Sequence, residues 1–170
     1  DLLESSSPNY SKILNQSKSS NSLYEILDHQ YILPGFTDLH IHAPQWPQLG
    51  NALDVPLEVW LQKYTFPLEA KYHDENFARI VYSDLVSSLL SAGTTTAVYY
   101  GTIHQKANQI LADICLNMGQ RAIIGKVVMD NPKECPGYYR DSSTNEALDG
   151  TSEFVNYIRN NPKNSDNRVD

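Results

Sequence analysis

Short apolar or β-branched segments alternate with helical segments from residue 36 to residue 158, and this alternation allows few architectures. The predicted strands are residues 36–42, 94–100 and 122–129, and the third is almost entirely apolar. Such a strand is typical of a parallel sheet that is covered on both faces. Strand–helix units in series predict an α/β fold with a parallel sheet, either doubly wound or part of a (β/α)8 barrel. Periodicity alone leaves both architectures open.

The predicted helices begin and end at recognisable residues. The first covers residues 75–91 and follows Asp74, whose side chain is a candidate N-cap. An apolar stripe along residues 107–118 predicts the second helix, and Gly119 follows it as a C-cap. A third helix is predicted to begin after Ser143 with a capping box. No G-x-G-x-x-G motif follows the first strand, which argues against a dinucleotide-binding fold.

Charge and composition exclude several classes of partner. The 170 residues carry a formal net charge of −7. Nucleic acid is not an expected partner, because binding its phosphates requires a basic protein surface. No apolar run approaches the roughly 20 residues of a membrane span. The polar, acidic first residues do not resemble a signal peptide, and two cysteines are too few for a disulfide framework. We therefore predict a cytoplasmic protein that binds neither nucleic acid nor membrane.

The N-terminal segment differs from the rest of the chain in composition. Residues 1–22 are rich in Ser, Asn and Lys, have little to bury, and are expected to be mobile. Residues 23–31 fit either a short strand or a connector, and the Pro-Gly pair that begins at Pro34 predicts a turn. The chain begins without methionine and ends in a polar run, so we expect it to be a fragment of a longer protein.

Two histidines stand at the end of the first predicted strand, in the sequence P-G-F-T-D-L-H-I-H of residues 34–42. Positions two apart on a strand project to the same side, so His40 and His42 present their imidazoles together. Two neutral imidazoles so placed can hold a divalent ion such as Zn²⁺ at ~2.0–2.1 Å. Asp38 lies on the same face, one step deeper, where it can orient a ligand. An H-x-H pair alone also fits one core and one surface histidine.

The context of this pair resembles the opening strand of the amidohydrolase superfamily, with Pro-Gly before the strand and Asp two positions before the first histidine. Further segments are similar to the zinc-dependent guanine deaminase family, in the same order, from about Tyr24 to Ile158. These segments are H-I-H-A-P-Q at residues 40–45, L-E-V-W-L-Q-K-Y-T-F-P at 57–67, G-T-T-T-A at 93–97, G-T-I-H at 101–104 and G-Q-R-A at 119–122.

This resemblance implies a site and a reaction. His40 and His42 would bind the catalytic zinc, one ion per subunit, and Gln45 would contact the purine, with Ala43 and Pro44 beside it. An amide suits a base edge because it offers both a donor and an acceptor. The implied reaction is hydrolytic deamination of guanine to xanthine and ammonia in purine catabolism, by a family whose members are usually homodimers.

The resemblance also implies a fold. Residues 34–170 would form the first three or so βα units of a TIM-like (β/α)8 metal-dependent hydrolase barrel, and residues 1–33 part of an incomplete small β domain. The family's further zinc ligands (two histidines and an aspartate), its proton-shuttling glutamate and an Arg-Phe pair that binds the base come from later strands. We therefore expect the full-length protein to be active and the 170-residue chain alone to be inactive and to fold poorly.

Two other functions stay open. Another zinc amidohydrolase deaminase, acting on adenosine, cytosine or S-adenosylhomocysteine, would share the histidine pair, although the segments at 44–45 and 63–67 favour guanine. A non-catalytic barrel that serves as a scaffold would not need both His40 and His42. The cytidine-deaminase fold is not expected, because the sequence has neither its H-x-E nor its P-C-x-x-C signature.

The remaining candidates lie in loops and helices. Residues 43–73 make a connection of about thirty residues, far longer than a usual βα loop, which fits an active-site cover or a packed excursion. Asp54 is a candidate N-cap within it. His104 is a candidate third metal ligand but fits helix capping or packing better. Cys115 belongs to an apolar helical stripe and is expected in the core, whereas Cys135 lies on a loop where it can be exposed.

Overall fold

The computed structural model describes residues 4–170, and the chain divides into two units between Pro34 and Gly35. The described part of the first unit contains one helix, α1 (Tyr10–Ser19), with no buried side chain and no strand. Residues 23–31 are therefore a connector. The patterns of Ser, Asn and Lys did not predict α1, because these residues are common in turns as well as on exposed helix faces. A small β domain that includes this segment stays a prediction.

The second unit begins with the first strand and alternates strands with helices to the end of the chain. Its strands are β1 (Phe36–His42), β2 (Thr94–Tyr100) and β3 (Arg121–Gly125). Its α-helices are α2 (Leu57–Trp60), α3 (Phe66–Glu69), α4 (Glu75–Ser91), α5 (Gln105–Met118) and α6 (Thr144–Arg159). A π-helical turn covers Leu61–Thr65, and 3₁₀ turns cover Ala43–Gln48, Ala70–His73, Gly137–Tyr139 and Pro162–Asn164.

The three strands form a parallel sheet in the order β1-β2-β3. The last residues of the chain continue this sheet beyond β3. Val169 forms a parallel bridge with Ala122, and Ile124 donates its backbone N–H to the carbonyl of Asp170 at 2.7 Å. Residues 168–170 therefore lie where a fourth parallel strand would begin, directly after the third helix of the series.

The third strand is shorter than predicted, because it ends at Gly125 and not near residue 129. Beyond Gly125 the backbone pairs with a loop instead of with β2. Met129 donates its N–H to the Asp141 carboxylate at 2.7 Å, and Asp141 donates its own N–H to the carbonyl of Met129 at 2.8 Å. The Lys126 ammonium lies 3.4 Å from the same carboxylate. These local polar contacts end the strand within an apolar sequence.

The predicted ends of the long helices are confirmed. The Asp74 carboxylate accepts hydrogen bonds from the backbone N–H groups of the first turn of α4, as an N-cap should. Helix α5 ends at Gly119, whose φ of 81° lies in the left-handed region that favours glycine. The Ser143 hydroxyl accepts from the backbone N–H of Glu146, and α6 continues through Gly150.

The core of this unit lies between the sheet and helices α4, α5 and α6. It consists mainly of aliphatic side chains, with buried Tyr72, Tyr82, Tyr99 and Phe154 among them. Cys115 is fully buried there, as predicted, and burial raises the pKa of its thiol to about 12. Among the helices of residues 4–170, none combines the length and the apolar character that a membrane crossing requires.

Candidate active site

The two histidines of β1 lie together at the carboxyl end of the sheet. Their Nε2 atoms are 3.1 Å apart. The ring of Tyr100, at the end of β2, lies 4.9 Å from each imidazole and stacks on that of His42. Partial burial and the neighbouring His40 lower the pKa of His42, which favours the neutral form of a metal ligand. The sequence correctly predicted that the two rings project to one side.

An irregularity in β1 lies directly before these histidines. Asp38 pairs with Ala97 and Ile41 pairs with Tyr99. Between these two pairs β1 therefore advances by three residues and β2 by only two. This extra residue is a β-bulge, a feature that often re-aims side chains next to active sites. The Asp38 carboxylate accepts the backbone N–H of His40 at 3.0 Å. Asp38 therefore stabilises the bulged backbone, and its role in orienting a metal ligand stays a prediction.

The residues after the strand turn into a 3₁₀ helix, Ala43–Gln48, with Pro44 in its first turn. Ala43 and Pro44 are buried, and the Pro44 carbonyl accepts a hydrogen bond from the Tyr72 hydroxyl at 2.9 Å. Gln45 is only half-buried. The turn therefore fixes Ala43 and Pro44 in the fold and leaves the Gln45 amide beside the histidines.

A cavity of about 330 Å³ brings these side chains together. Its polar residues are Asp38, His40, His42 and Gln45, which come from β1 and the turn after it. Its apolar wall is formed by Ile41, Trp46, Leu49, Leu85 and Leu89. An apolar cavity with a few convergent polar groups is the usual form of a small-molecule site. A larger cleft of about 760 Å³ between α5 and α6 contains neither histidine nor cysteine.

Sequence reasoning missed a buried carboxylate behind Gln45. Glu69, at the end of α3, is only 6% exposed. Its Oε1 accepts from Gln45 Nε2 at 2.9 Å, and its Oε2 accepts from the Tyr139 hydroxyl at 2.6 Å. Burial raises the pKa of Glu69, and these two hydrogen bonds oppose that shift. The only signal in the sequence was an acidic residue two positions after the K-Y-T-F-P segment.

The long connection is a packed excursion. Residues 57–73 run through α2, the π turn, α3 and a 3₁₀ turn without interruption, and Thr65, Phe66, Glu69 and Tyr72 are buried. The predicted N-cap at Asp54 is wrong, because α2 begins after Pro56. The π turn precedes Pro67, whose ring would clash with the fourth preceding carbonyl in a regular helix. The cavity wall contains no residue of 57–73, so an active-site cover stays a prediction.

His104 lies apart from the histidine pair. It precedes α5 without capping it through its side chain, and its ring is 6.1 Å from that of His73 and 5.9 Å from that of Tyr139. Burial, and then His73, lower the pKa of His104. Within residues 4–170 no three His, Cys, Asp or Glu side chains are arranged to hold a metal ion.

The thiol of Cys135 is buried, although its position on a loop allowed exposure. Cys135 is only 6% exposed, and its Sγ donates to the Asn131 carbonyl at 2.9 Å.

The histidine pair matches part of a zinc coordination sphere. Two tetrahedral ligands at ~2.0–2.1 Å from zinc lie about 3.3 Å from each other. The 3.1 Å between the Nε2 atoms of His40 and His42 is close to this separation. The two residues therefore fit as one edge of a tetrahedral site, which requires further ligands.

The chain is similar to guanine deaminases in sequence and in fold. It is 43% identical to a probable guanine deaminase of Schizosaccharomyces pombe over 86% of this chain and 28% of that protein. It is 46% identical to the guanine deaminase of Dictyostelium discoideum over 78% of this chain and 29% of that protein. A crystal structure of guanine deaminase from C. acetobutylicum with bound guanine superposes with a TM-score of 0.73 and 34% identity, over 80% of this chain and 31% of that one.

The chain thus spans less than a third of the length of these relatives. Its parallel sheet and covering helices correspond to a part of the fold of the C. acetobutylicum protein, which confirms the predicted partial (β/α)8 barrel. The Amidohydrolase family matches residues 31–169, almost the whole of the sequence, and the chain belongs to that family.

Proposed function

We propose that the protein carrying this chain is a guanine deaminase, which hydrolyses guanine to xanthine and ammonia. The observation that carries the proposal is the convergence of His40, His42 and Gln45 on one cavity at the carboxyl end of β1. Active sites of (β/α)8 barrels lie at this end of the strands. The relatives named guanine deaminase support the choice of substrate.

The residues have separate roles in this proposal. His40 and His42 would hold a zinc ion, and the Tyr100 ring and the Asp38 carboxylate fix the position of these two histidines. A zinc ion bound there supplies the Lewis acidity that makes water nucleophilic near neutral pH. Gln45 binds the edge of the base through its amide. The apolar wall of the cavity offers a surface against which the base can pack.

The rest of the site is expected outside these 170 residues. A catalytic zinc requires about three protein ligands, and the described residues offer two in one place. The resemblance to the family implies two more histidines, an aspartate, a proton-shuttling glutamate and an Arg-Phe pair. We therefore expect the 170-residue chain alone to be inactive.

Turnover by the full-length, zinc-loaded protein tests this proposal. Guanine, adenosine, adenine, cytosine and S-adenosylhomocysteine are compared at equal concentrations, with ammonia release as the common measurement and xanthine as the specific product. We expect a kcat/KM for guanine at least about 10²-fold above that for every other substrate, since hydrogen-bonded sites discriminate strongly. Faster turnover of another base or nucleoside would replace guanine as the substrate. Absence of turnover with all five, at one bound zinc per subunit, would favour a scaffold.

Two further properties rest on the family resemblance alone. We infer a homodimer and a cytoplasmic location for the full-length protein. Sedimentation equilibrium at several concentrations tests the first, and a monomer at all of them would exclude it. Fractionation of the source cells tests the second.

A further inference from the structure

We propose that Glu69 is a positioning residue of the base-binding site. Its buried carboxylate holds the side-chain amide of Gln45 in one orientation, and this orientation selects the order of donor and acceptor that a bound base must present. The inference rests on the proposed function, because it assigns a cause to the specificity of the same site. Glu69 itself does not border the cavity.

The hydrogen bonds around Glu69 can run in only one direction. A carboxylate has no proton to donate, so Gln45 must face it with Nε2 and Tyr139 with its hydroxyl proton. The single proton of Tyr139 is then committed to Glu69, and the Thr102 hydroxyl must be the donor in its 3.0 Å contact with Tyr139. Thr102 is held in turn by two hydrogen bonds between its backbone and the Asn108 amide, at 3.0 and 2.8 Å.

Burial makes the opposite orientation of the Gln45 amide energetically unfavourable. Tyr139 is fully buried and Glu69 is 6% exposed, so water cannot replace a lost donor. Rotating the Gln45 amide by 180° would place its Oε1 against the carboxylate Oε1 of Glu69. A buried acceptor without a donor costs about 1–3 kcal/mol, and more when it carries charge. The observed orientation is therefore favoured over its reverse by roughly 5- to 150-fold.

This fixed orientation has a consequence for the bound base. One N–H of Gln45 is committed to Glu69, and the other N–H and Oε1 make no hydrogen bond within residues 4–170, so they are available to a ligand in the cavity. A base edge binds when its donor meets Oε1 and its acceptor meets the free N–H. An edge with the opposite order places acceptor against acceptor and donor against donor. A glutamine whose amide rotates freely would bind base edges with either order of donor and acceptor. Glu69 therefore makes the site more selective between the two orders.

Steady-state kinetics of the full-length, zinc-loaded enzyme test the role of Glu69. Glu69→Gln keeps the shape but removes the charge, and its own amide can face Gln45 with either end. We expect KM for guanine to rise about tenfold, with kcat changed by less than about threefold. Loss of the fixed amide orientation contributes a factor of about two, and loss of the charged acceptor that immobilises the Gln45 side chain contributes the rest. Glu153→Gln is the matched control: Gln105 Nε2 donates to Glu153 Oε2 at 2.9 Å on the exposed surface, and neither kinetic constant should change by more than about twofold.

A double-mutant cycle separates positioning from a purely structural role. If Glu69 acts through Gln45, then Glu69→Gln should change KM by less than about twofold when Gln45→Ala is already present. A tenfold effect that persists in the Gln45→Ala background would overturn the proposal. If Glu69→Gln does not fold, Glu69→Asp replaces it, because the shorter carboxylate keeps its charge but withdraws from Gln45; the same coupling is expected.

A measurement that does not need turnover keeps this proposal distinct from the proposed function. Enzyme labelled with ¹⁵N in glutamine side chains gives a Gln45 amide signal, which is identified by its loss in Gln45→Ala. We expect Glu69→Gln to shift this signal and Glu153→Gln to shift only that of Gln105. A Gln45 signal that does not respond to Glu69→Gln would overturn the positioning role. A wild-type protein that does not deaminate guanine would overturn the proposed function, even if the signal shifts.

Discussion

The two strand pairs of the sheet differ in regularity. Strands β2 and β3 pair over five consecutive residue pairs, from Thr96 with Arg121 to Tyr100 with Gly125. The pairing of β1 with β2 is interrupted twice, between residues 36 and 37 and between Asp38 and Ile41. Among the three strands only β1 lines the cavity, and it does so with three consecutive residues, 40–42. A regular strand, with its alternating side chains, would not allow this.

The contrast separates the scaffold from the site. The regular pair carries buried Ala97, Tyr99, Ala122 and Ile124, which pack against α4 and α5 and stabilise the fold. The irregular pair carries the polar residues, whose positions depend on single hydrogen bonds such as that from His40 N to Asp38. Substitutions at the irregular end should therefore affect metal content and turnover, whereas those in the regular part should affect the free energy of unfolding.

The largest expected effect follows removal of either imidazole. His40→Ala or His42→Ala in the full-length protein should lower kcat/KM for guanine by about 10³-fold or more, equivalent to ~4 kcal/mol of transition-state stabilisation. Bound zinc, measured by atomic emission, should fall with it, because one edge of the coordination site is lost. His29→Ala, in the exposed connector of the other unit, is the control. Full zinc content in both β1 variants would contradict the site.

A smaller effect is expected from the bulge. Asp38→Ala removes the acceptor for the His40 backbone N–H and should lower zinc affinity by about 10–100-fold, as is usual for residues that support metal ligands. Asp38→Asn keeps an oxygen at the accepting position and should lose less than about fivefold. Competition with a chelator of known affinity measures both. Equal losses in the two variants would show that charge, and not the shape of the bulge, is what matters.

Much of the scaffold was predictable because its signals are local. β1, β2 and α4 begin and end where the sequence pattern placed them, since Asp74 and the periodic apolar residues act within one or two turns. That His40 and His42 project to one side was also predictable from the two-residue repeat of a strand, although the bulge brings Ile41 into the same cavity. These features need no knowledge of distant parts of the chain.

The features that the sequence did not reveal depend on distant contacts. Glu69 meets Gln45 across 24 positions and Tyr139 across 70 positions of the chain, so no local pattern marks it. The bulge depends on where β1 pairs with β2, and the early end of β3 depends on Asp141 in a later loop. Tertiary contacts override the local preference at each of these places.

The core between the sheet and the helices contains two buried tyrosines that can be compared. Tyr99 on β2 donates its hydroxyl to Gln120 Oε1 at 2.6 Å, whereas the buried Oη of Tyr82 on α4 has no partner within residues 4–170. Tyr99→Phe should therefore lower the free energy of unfolding by about 1–3 kcal/mol, because it leaves Gln120 without its main donor. Tyr82→Phe should change it by less than about 0.5 kcal/mol, or raise it. Urea unfolding of the full-length protein measures both, and similar losses would contradict this reading of the core.

The smallest expected effect is a pH dependence of stability that comes from Glu69. Burial raises the pKa of its carboxyl in the folded state, so between the ordinary value and the folded value the native state binds more protons than the unfolded state. The contribution of Glu69 to stability is therefore fully present below its ordinary pKa and is lost as the pH rises through the folded pKa. Glu69→Gln lacks this titration, so the Tm of the wild type minus that of the variant should fall as the pH is raised from 4 to 8. Thermal unfolding of both proteins in chelator, which removes the pH dependence of metal binding, measures the difference. A difference that is constant over this range, or that grows with pH, would mean that the two hydrogen bonds of the carboxylate behind Gln45 stabilise it as much as burial penalises it, or more.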